Sequence, residues 1–472
     1  MVNKLFKWIR TNYGFIFNKK TLVLLLLIGL LIRLILMPFT MMADLSHSYH
    51  DVATQKYEIS WHILNPAVVL QNLPHFYRGD GLGDYNYFWL FFNGNLITKQ
   101  IQHAFFSFYT LLIPINTWFD PAVLQTDVGN EFMEHTYIIE KSLLSNEPVF
   151  LKIFLLKLPY LLFDIGVLLI LPLFFNNPRK KKFAFLFWLF NPVALVISFI
   201  FGSVDIICVF FVLLTFYMFY RKRYVLGIIF LGLSAFSKFQ ALLLIPFLFL
   251  FLFKSKDVFG SRTEGKKALL WPKILFITLI IFIIPLCLWF FGREVSKRWP
   301  FNYLFVLKIG ELHAVYLFFL AYALILLAYW YFGDKSFQTL CKFCLLGLFS
   351  FFALCPFHPQ WFIVVMPFIC FVLIENRNLI KVFFLQLIFY FLIFLWWGNH
   401  ITINLFAPLN PNLIFNIPAI KDVLYDINLD ILINSFRAIF IAVTFFFMYL
   451  IIRSLNLKND KKYEKSQKRN RN

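Results

Sequence analysis

Five acids and three basic side chains edge or interrupt the apolar stretches of this sequence: Asp44, Asp51, Asp84, Asp164, Asp205, Arg78, Lys238 and His358. The run Asp44-Leu-Ser-His47-Ser-Tyr-His50-Asp51 follows directly on an apolar stretch. A carboxylate at a membrane surface can take a proton from an attacking hydroxyl. With the histidines it could instead hold a divalent cation, Mg or Mn, against a phosphate. The plainer alternative is a solvated loop start, or acids capping a helix that begins near Val52. Arg78-Gly-Asp80-Gly-Leu-Gly-Asp84-Tyr85 reads as a tight exposed loop, functional or an ordinary turn.

Three further groups lie deeper in the chain. Asp164 stands inside an apolar stretch that opens with Lys157-Leu-Pro159, and a buried carboxylate there needs a partner. Asn191-Pro192 is followed by Gly202-Ser203-Val204-Asp205, where Asp205 either caps the next helix or faces a site. Ser237-Lys238-Phe239-Gln240 interrupts an apolar run, at a cost of several kcal/mol unless the charge is paired or faces a cavity. Near the C-terminal third, His358-Pro-Gln360-Trp361 forms a turn whose His could touch a phosphate or simply be solvated.

Composition decides what must position these residues. The 472-residue chain is 61% hydrophobic and 14% charged, where soluble domains are about 45–50% apolar and about 25% charged. This predicts an all-α, polytopic membrane protein. Apolar stretches fall at 21–41, 151–175, 183–201, 204–220, 224–252, 274–292, 313–333, 340–355, 361–375, 379–398 and 431–452. They support about ten to thirteen transmembrane helices. Continuous apolar runs rule out an alternating outer-membrane barrel. The net charge of +20 sits in short inter-span segments rather than a basic stripe, so it reads as positive-inside topology and lipid attraction, not nucleic-acid binding. The six cysteines lie in or beside apolar runs, and Cys341-x-x-Cys344 has no second pair to complete a metal site. They read as packing or lipid-facing residues.

Charge also gives sidedness. Residues 1–20 form a basic cytoplasmic N-terminus, 21–452 the membrane domain and 453–472 a polar, basic, unstructured cytoplasmic tail. The segment 42–150 is the large first extracytoplasmic loop, with eleven acids against four basic residues. Within it, 101–119 is apolar but broken by Pro114, and reads either as an interfacial helix or as part of a further helical pair. Residues 221–223 and 254–273 are both basic, yet a single apolar stretch separates them. A re-entrant helical hairpin turning near Lys238 keeps both ends inside. A single tilted helix with other loop assignments is the alternative. The Phe, Ile, Asn and Lys bias suits a low-GC bacterium, hence a bacterial plasma membrane.

Soluble catalytic signatures are missing: no G-x-x-x-x-G-K-[ST], H-E-x-x-H or G-x-S-x-G occurs. The remaining motifs carry a resemblance. From about residue 21 to 375 the chain resembles the polytopic GT-C glycosyltransferases. More narrowly, it is similar to bacterial proteins related to the second mannosyltransferase of GPI-anchor synthesis. That family's first-loop acid, F-Y pair and D-Y-P-P are met by His50-Asp51, Phe76-Tyr77 and Asp84-Tyr85. Its K-l-P-x-l-x-x-D is met by Lys157, Pro159 and Asp164. Its l-N-P…G-Q-x-D is met by Asn191, Pro192, Gly202 and Asp205. Its T-K-P-Q is met by Lys238 and Gln240, and its H-P-Q-Y-F by His358, Pro359, Gln360, Trp361 and Phe362. The chain departs from these patterns at Asn86-Tyr87, Ser203 and Phe239.

The resemblance implies transfer of a sugar, a mannose-like hexose favoured, from a polyprenyl-phosphate donor to a glycan or glycolipid hydroxyl on the outer face, with inversion. It implies Asp51 as the base with Asp44 as alternate. Lys238, Arg78, His358 and Gln360 would meet the donor phosphate; Asp84, Tyr85, Asp205 and Asp164 would shape the sugar and acceptor pocket. Metal dependence is open. Two other classes remain: a carrier or polymerase-like protein for lipid-linked sugars, which should show two related halves, and a non-catalytic scaffold.

Overall fold

The computed structural model describes residues 11–16, 20–53, 95–114, 117–119, 123, 132–145, 147–254, 306–309, 313–355, 358–395, 401–411, 413 and 429–469. Among them, six helices are long and apolar enough to cross a membrane: Lys20–Phe39, Val149–Phe174, Pro178–Phe201, Phe337–Leu354, Arg377–Leu395 and Ile431–Leu455. Five shorter apolar helices accompany them. A helical, multi-span membrane protein is therefore what the sequence builds. Ten of the eleven expected stretches coincide with these helices, and the eleventh, 274–292, lies outside the described residues.

The chain divides into two compact units. The first comprises Met1–Ala241 with Trp397–Ile427. Its helices are α1 (Lys20–Phe39), α2 (Ala43–Ala53), α3 (Asn95–Thr110), α4 (Phe132–Ser145), α5 (Val149–Ile170), α6 (Pro178–Leu189), α7 (Asp205–Tyr220) and α8 (Tyr224–Ala235). Helix α5 is the hub: α1, α3 and α7 all pack on it. Helix α2 packs between α3 and α4, and α7 lies along α8. Two Asn-Pro pairs start helices by the same device. Asn177 accepts from Arg179 N, and Asn191 Oδ1 accepts from Val193 N (3.0 Å) and Ala194 N (3.1 Å), while the proline needs no partner for its missing N–H. The helix begun at Pro192 loosens into a π turn over Val196–Phe201 and stops at Gly202.

A buried ion pair ties the spans of this unit. Arg33, in the middle of α1, donates through Nε to Asp164 Oδ2 at 2.7 Å, both side chains fully buried. Arg33 also donates to the carbonyls of Gly29 (3.0 Å) and Leu189 (2.7 Å), and Trp188 Nε1 donates to Asp164 Oδ1 at 2.9 Å. The charges that apolar surroundings would reject are thus paired and hydrogen-bonded.

The second unit comprises Leu242–Trp396 with Asn428–Asn472. Its helices are α9 (Ile245–Lys254), α10 (Leu317–Phe332), α11 (Phe337–Leu354), α12 (Met366–Glu375), α13 (Ile380–Leu392) and α14 (Leu429–Arg469). Helix α11 is its core: fifteen of its eighteen residues are buried, against α9, α10, α12 and α14. Two features differ from expectation. A short antiparallel ribbon, β1 (Val306–Ile309) with β2 (His313–Tyr316), pairs Val306 with Tyr316, so α10 starts at Leu317 rather than 313. β-Branched Val306, Ile309 and Val315 with aromatic Tyr316 suit a strand. And α14 continues as helix through the polar tail to Arg469. Lys, Glu, Gln and Arg are good helix formers, and extending an existing helix skips the nucleation cost.

Candidate functional site

The candidate site grows from three chain breaks in the first unit. The first is the turn between α1 and α2. Met42 N donates to Phe201 O (3.0 Å) and Met41 N to Leu405 O (2.9 Å), pinning the turn on both sides. The buried Lys157 ammonium donates to Thr40 O, Phe199 O (2.6 Å) and Ile200 O (3.2 Å). It neutralises the carbonyl ends of α1 and of the π turn together. These bonds fix where α2 begins, and with it Asp44.

The second break is Gly202. Its φ of +74° is a left-handed cap, and a Cβ there would meet Lys157 Cε at 2.8 Å and Leu45 Cδ2 at 3.0 Å. Ser203 N donates back to Ile197 O (2.9 Å), which throws Asp205 onto the first turn of α7. Asp205 does not cap its helix with its side chain. Its Oδ2 accepts from Ser203 Oγ at 2.5 Å, and its Oδ1 faces Lys238 Nζ at 3.8 Å. The positive end of α7 favours that carboxylate.

The third break is where α8 ends. Phe236 to Lys238 leave the helix, and a 3-10 turn follows over Phe239–Leu244. The break frees Lys238 to reach Asp205. At 3.8 Å the pair is beyond a good hydrogen bond, so the ammonium keeps donors for another anion. Gln240 is buried, and both its amide oxygen and nitrogen lack partners among the described residues. A buried amide without a partner costs about 1–3 kcal/mol, which a bound hydroxyl or phosphate would recover.

Asp44 is exposed at the start of α2. The surrounding protein raises its carboxyl above the usual range; the Lys238 charge opposes this and the Asp205 charge adds to it. The site therefore joins Asp44, Asp205 and Lys238, which the sequence named separately. It also includes an acid the sequence reading passed over. Glu140 on α4 is buried, its Oε1 lacks a partner among the described residues, and burial with the nearby Asp44 charge pushes it up to about 8. Its signal was periodicity: Ile139, Glu140, Leu143 and Leu144 form one buried stripe, which places an acid on an apolar face.

Other named residues lie elsewhere. Asp164 is engaged by Arg33 and Trp188 as described. His358 and Gln360 belong to the second unit. There the His358 carbonyl accepts from Trp361 N (3.0 Å), the two rings stand 5.4 Å apart, and Gln360 is buried. Asp51 lies on α2 seven residues after Asp44, but its side chain is outside the described residues, as are Arg78, Asp84 and Tyr85 entirely. His50 is buried with Nε2 3.2 Å from Val123 O. No group of three His, Cys, Asp or Glu among the described residues has the spacing to hold a metal ion. The five described cysteines are buried and free.

In comparisons with known proteins, no family profile, curated protein or solved structure matches this chain.

Proposed function

We propose that the chain is a membrane glycosyltransferase. It moves a sugar, a mannose-like hexose favoured, from a polyprenyl-phosphate donor to a hydroxyl of a lipid-linked or cell-surface glycan, with inversion. The observation that carries this reading is an exposed carboxylate, Asp44, directly after the first apolar helix and within the field of Lys238 and Asp205. A base and a cation held together at the end of a span suit a donor whose phosphate lies at the headgroups and whose tail lies in lipid.

In this mechanism Asp44 accepts the proton of the acceptor hydroxyl as its oxygen attacks the anomeric carbon. The bond from that carbon to the phosphate oxygen breaks, and the polyprenyl phosphate leaves with the electron pair. Lys238 offsets the charge that develops on the leaving group. Asp205, fixed by Ser203, and Gln240 bind sugar hydroxyls. Asp51, on the same helix as Asp44, is the second candidate base, and His358 and Gln360 are candidate phosphate contacts. Both termini are cytoplasmic, the site opens on the opposite side of a bacterial plasma membrane, and the break at Phe236–Lys238 is the turn of a re-entrant hairpin.

The test is sugar transfer in purified membranes offered a panel of polyprenyl-phosphate sugars, with wild type beside Asp44→Asn and Asp51→Asn. Label reaching a glycan or lipid acceptor in wild type, and lost in one of the two variants, supports the reading and names the base. Undiminished transfer in both variants refutes a carboxylate base on α2. Movement of intact lipid-linked sugar across the bilayer, with no transfer, favours a carrier.

A further inference from the structure

Helix α3 carries a long apolar stripe on the side that no other described element covers. Thr98, Lys99 and Gln102 are buried, in line with Phe106 and Tyr109, while His103, Ser107 and Thr110 form a polar strip on the outer side. Beside that polar strip the outward side is apolar. Ile101, Ala104, Phe105, Phe108, Leu111 and Leu112 recur at helical spacing and continue into the turn after Thr110. Phe108 is 58% exposed, Leu111 80% and Leu112 64%. Against water this stripe is unfavourable; against hydrocarbon it is not.

Its surroundings say what covers it. Helix α3 packs on α5, a candidate span whose first turn exposes Phe150 and Leu151. Phe150 in turn meets exposed Phe39 at the end of α1, edge to face at 5.3 Å. Helix α3 is thus packed on a span with exposed apolar residues, and that span's first turn meets the exposed apolar end of a second. We infer that α3 lies in one leaflet as an interfacial helix, its Phe108–Leu112 end seated in lipid hydrocarbon. Its inner face then acts as a clamp. Lys99 Nζ donates to Ser48 O (2.8 Å), Ser48 Oγ donates to Gln102 Oε1 (2.8 Å), and Gln102 Nε2 donates to Tyr160 OH on α5 (2.8 Å). Ser48 stands one helical turn after Asp44 on α2. Lipid seating of α3 thereby sets the depth of the helix that carries Asp44.

The experiment reads contact with lipid and needs no sugar transfer, so it stands apart from the proposed reaction. The wild-type chain is reconstituted in phosphatidylglycerol and phosphatidylcholine vesicles in which a fraction of the lipid carries a diazirine high on one acyl chain. After irradiation, adducts are mapped by peptide fragmentation, with exposed Leu24, Leu27 and Leu31 of α1 as the internal control. Adducts at Phe108, Leu111 and Leu112, at a yield comparable to α1 and absent from Gln102 and Phe106, are expected. An α3 without adducts beside a labelled α1 would overturn the inference. So would zero-length protein crosslinks joining the α3 stripe to a second copy, because the stripe would then be a dimer face.

Discussion

Lys238 Nζ stands 3.8 Å from Asp205 Oδ1, and the two residues come from different chain breaks thirty-three positions apart. The pair is close enough to hold Lys238 in place and too long to satisfy it. In the proposed reaction, a cation held in this way would be available to the phosphate that loses its sugar. Lys238→Met should therefore lower the rate of transfer by about 100-fold, the scale of removing one charge-stabilising donor. Lys238→Arg should restore part of it. Single-turnover transfer separates this from weaker donor binding: a change confined to KM would argue against a role for Lys238 on the leaving group.

Glu140 gives a prediction in pH. Its carboxyl is raised from 4.5 to about 8, first by burial and then by the Asp44 charge. A raised carboxyl binds its proton more tightly in the folded state. Its contribution to stability is thus complete below about 4.5 and is lost as pH rises through about 8. Between these values the slope approaches about 1.4 kcal/mol per pH unit. Glu140→Gln, which mimics the protonated form, should remove that slope. Thermal unfolding in detergent across this range tests it: parallel wild-type and mutant curves would show Glu140 ionised at neutral pH.

Hydropathy made the spans legible, because twenty apolar residues have one fate in a bilayer and the pattern needs no tertiary information. The helix break at Lys238 was legible for the same reason: a charge inside an apolar run must be accommodated somewhere. What periodicity could not give was partnership. Asp164 announced that it needed a partner, and Arg33, a charge inside the first apolar stretch, carried the same signal and was passed over; that the two meet across 131 residues has no local signature. The meeting of Asp44, Asp205 and Lys238 depends on three turns, two of them closed by carbonyl contacts of Lys157 and by the left-handed Gly202, and such contacts have no periodic signature. The ribbon at 306–316 was missed because four-residue strands carry too little alternation to stand out beside an apolar helix.

The Arg33–Asp164 pair should act as one element. Removing either partner leaves the other charge buried. Asp164→Ala or Arg33→Ala should each destabilise the protein by about 3–5 kcal/mol. Replacing both with residues of similar volume, Arg33→Met with Asp164→Leu, should cost much less than the two single changes added together. A double-mutant cycle on thermal unfolding measures the coupling. Additive losses would mean that the two residues do not share one interaction, and that Trp188 and the carbonyls of α6 carry most of the stabilisation.

The course of the chain through residues 224–252 makes the last prediction. Helix α8 has twelve residues, about 18 Å at 1.5 Å per residue, well short of a hydrocarbon core of about 30 Å. The helical stretch Phe239–Lys254, six residues of 3-10 and ten of α-helix, is longer, about 27 Å, and still short. Run end to end they would overshoot the core by about half its thickness. Turned back at Phe236–Lys238, arms of these lengths carry Lys238 most of the way across the core, to the level of Asp205 at the start of α7, and each end returns to the side it entered from. That course also returns Arg221–Arg223 and the basic residues after Lys254 to one side, as the distribution of positive charge favours. Cysteines placed at Arg221 and at Ser255, with Cys287 replaced and the buried native cysteines unreactive, should both be blocked by a membrane-impermeant maleimide applied from the same side of oriented vesicles. Labelling from opposite sides would make this segment a kinked span. The termini would then lie on opposite faces unless another segment compensates.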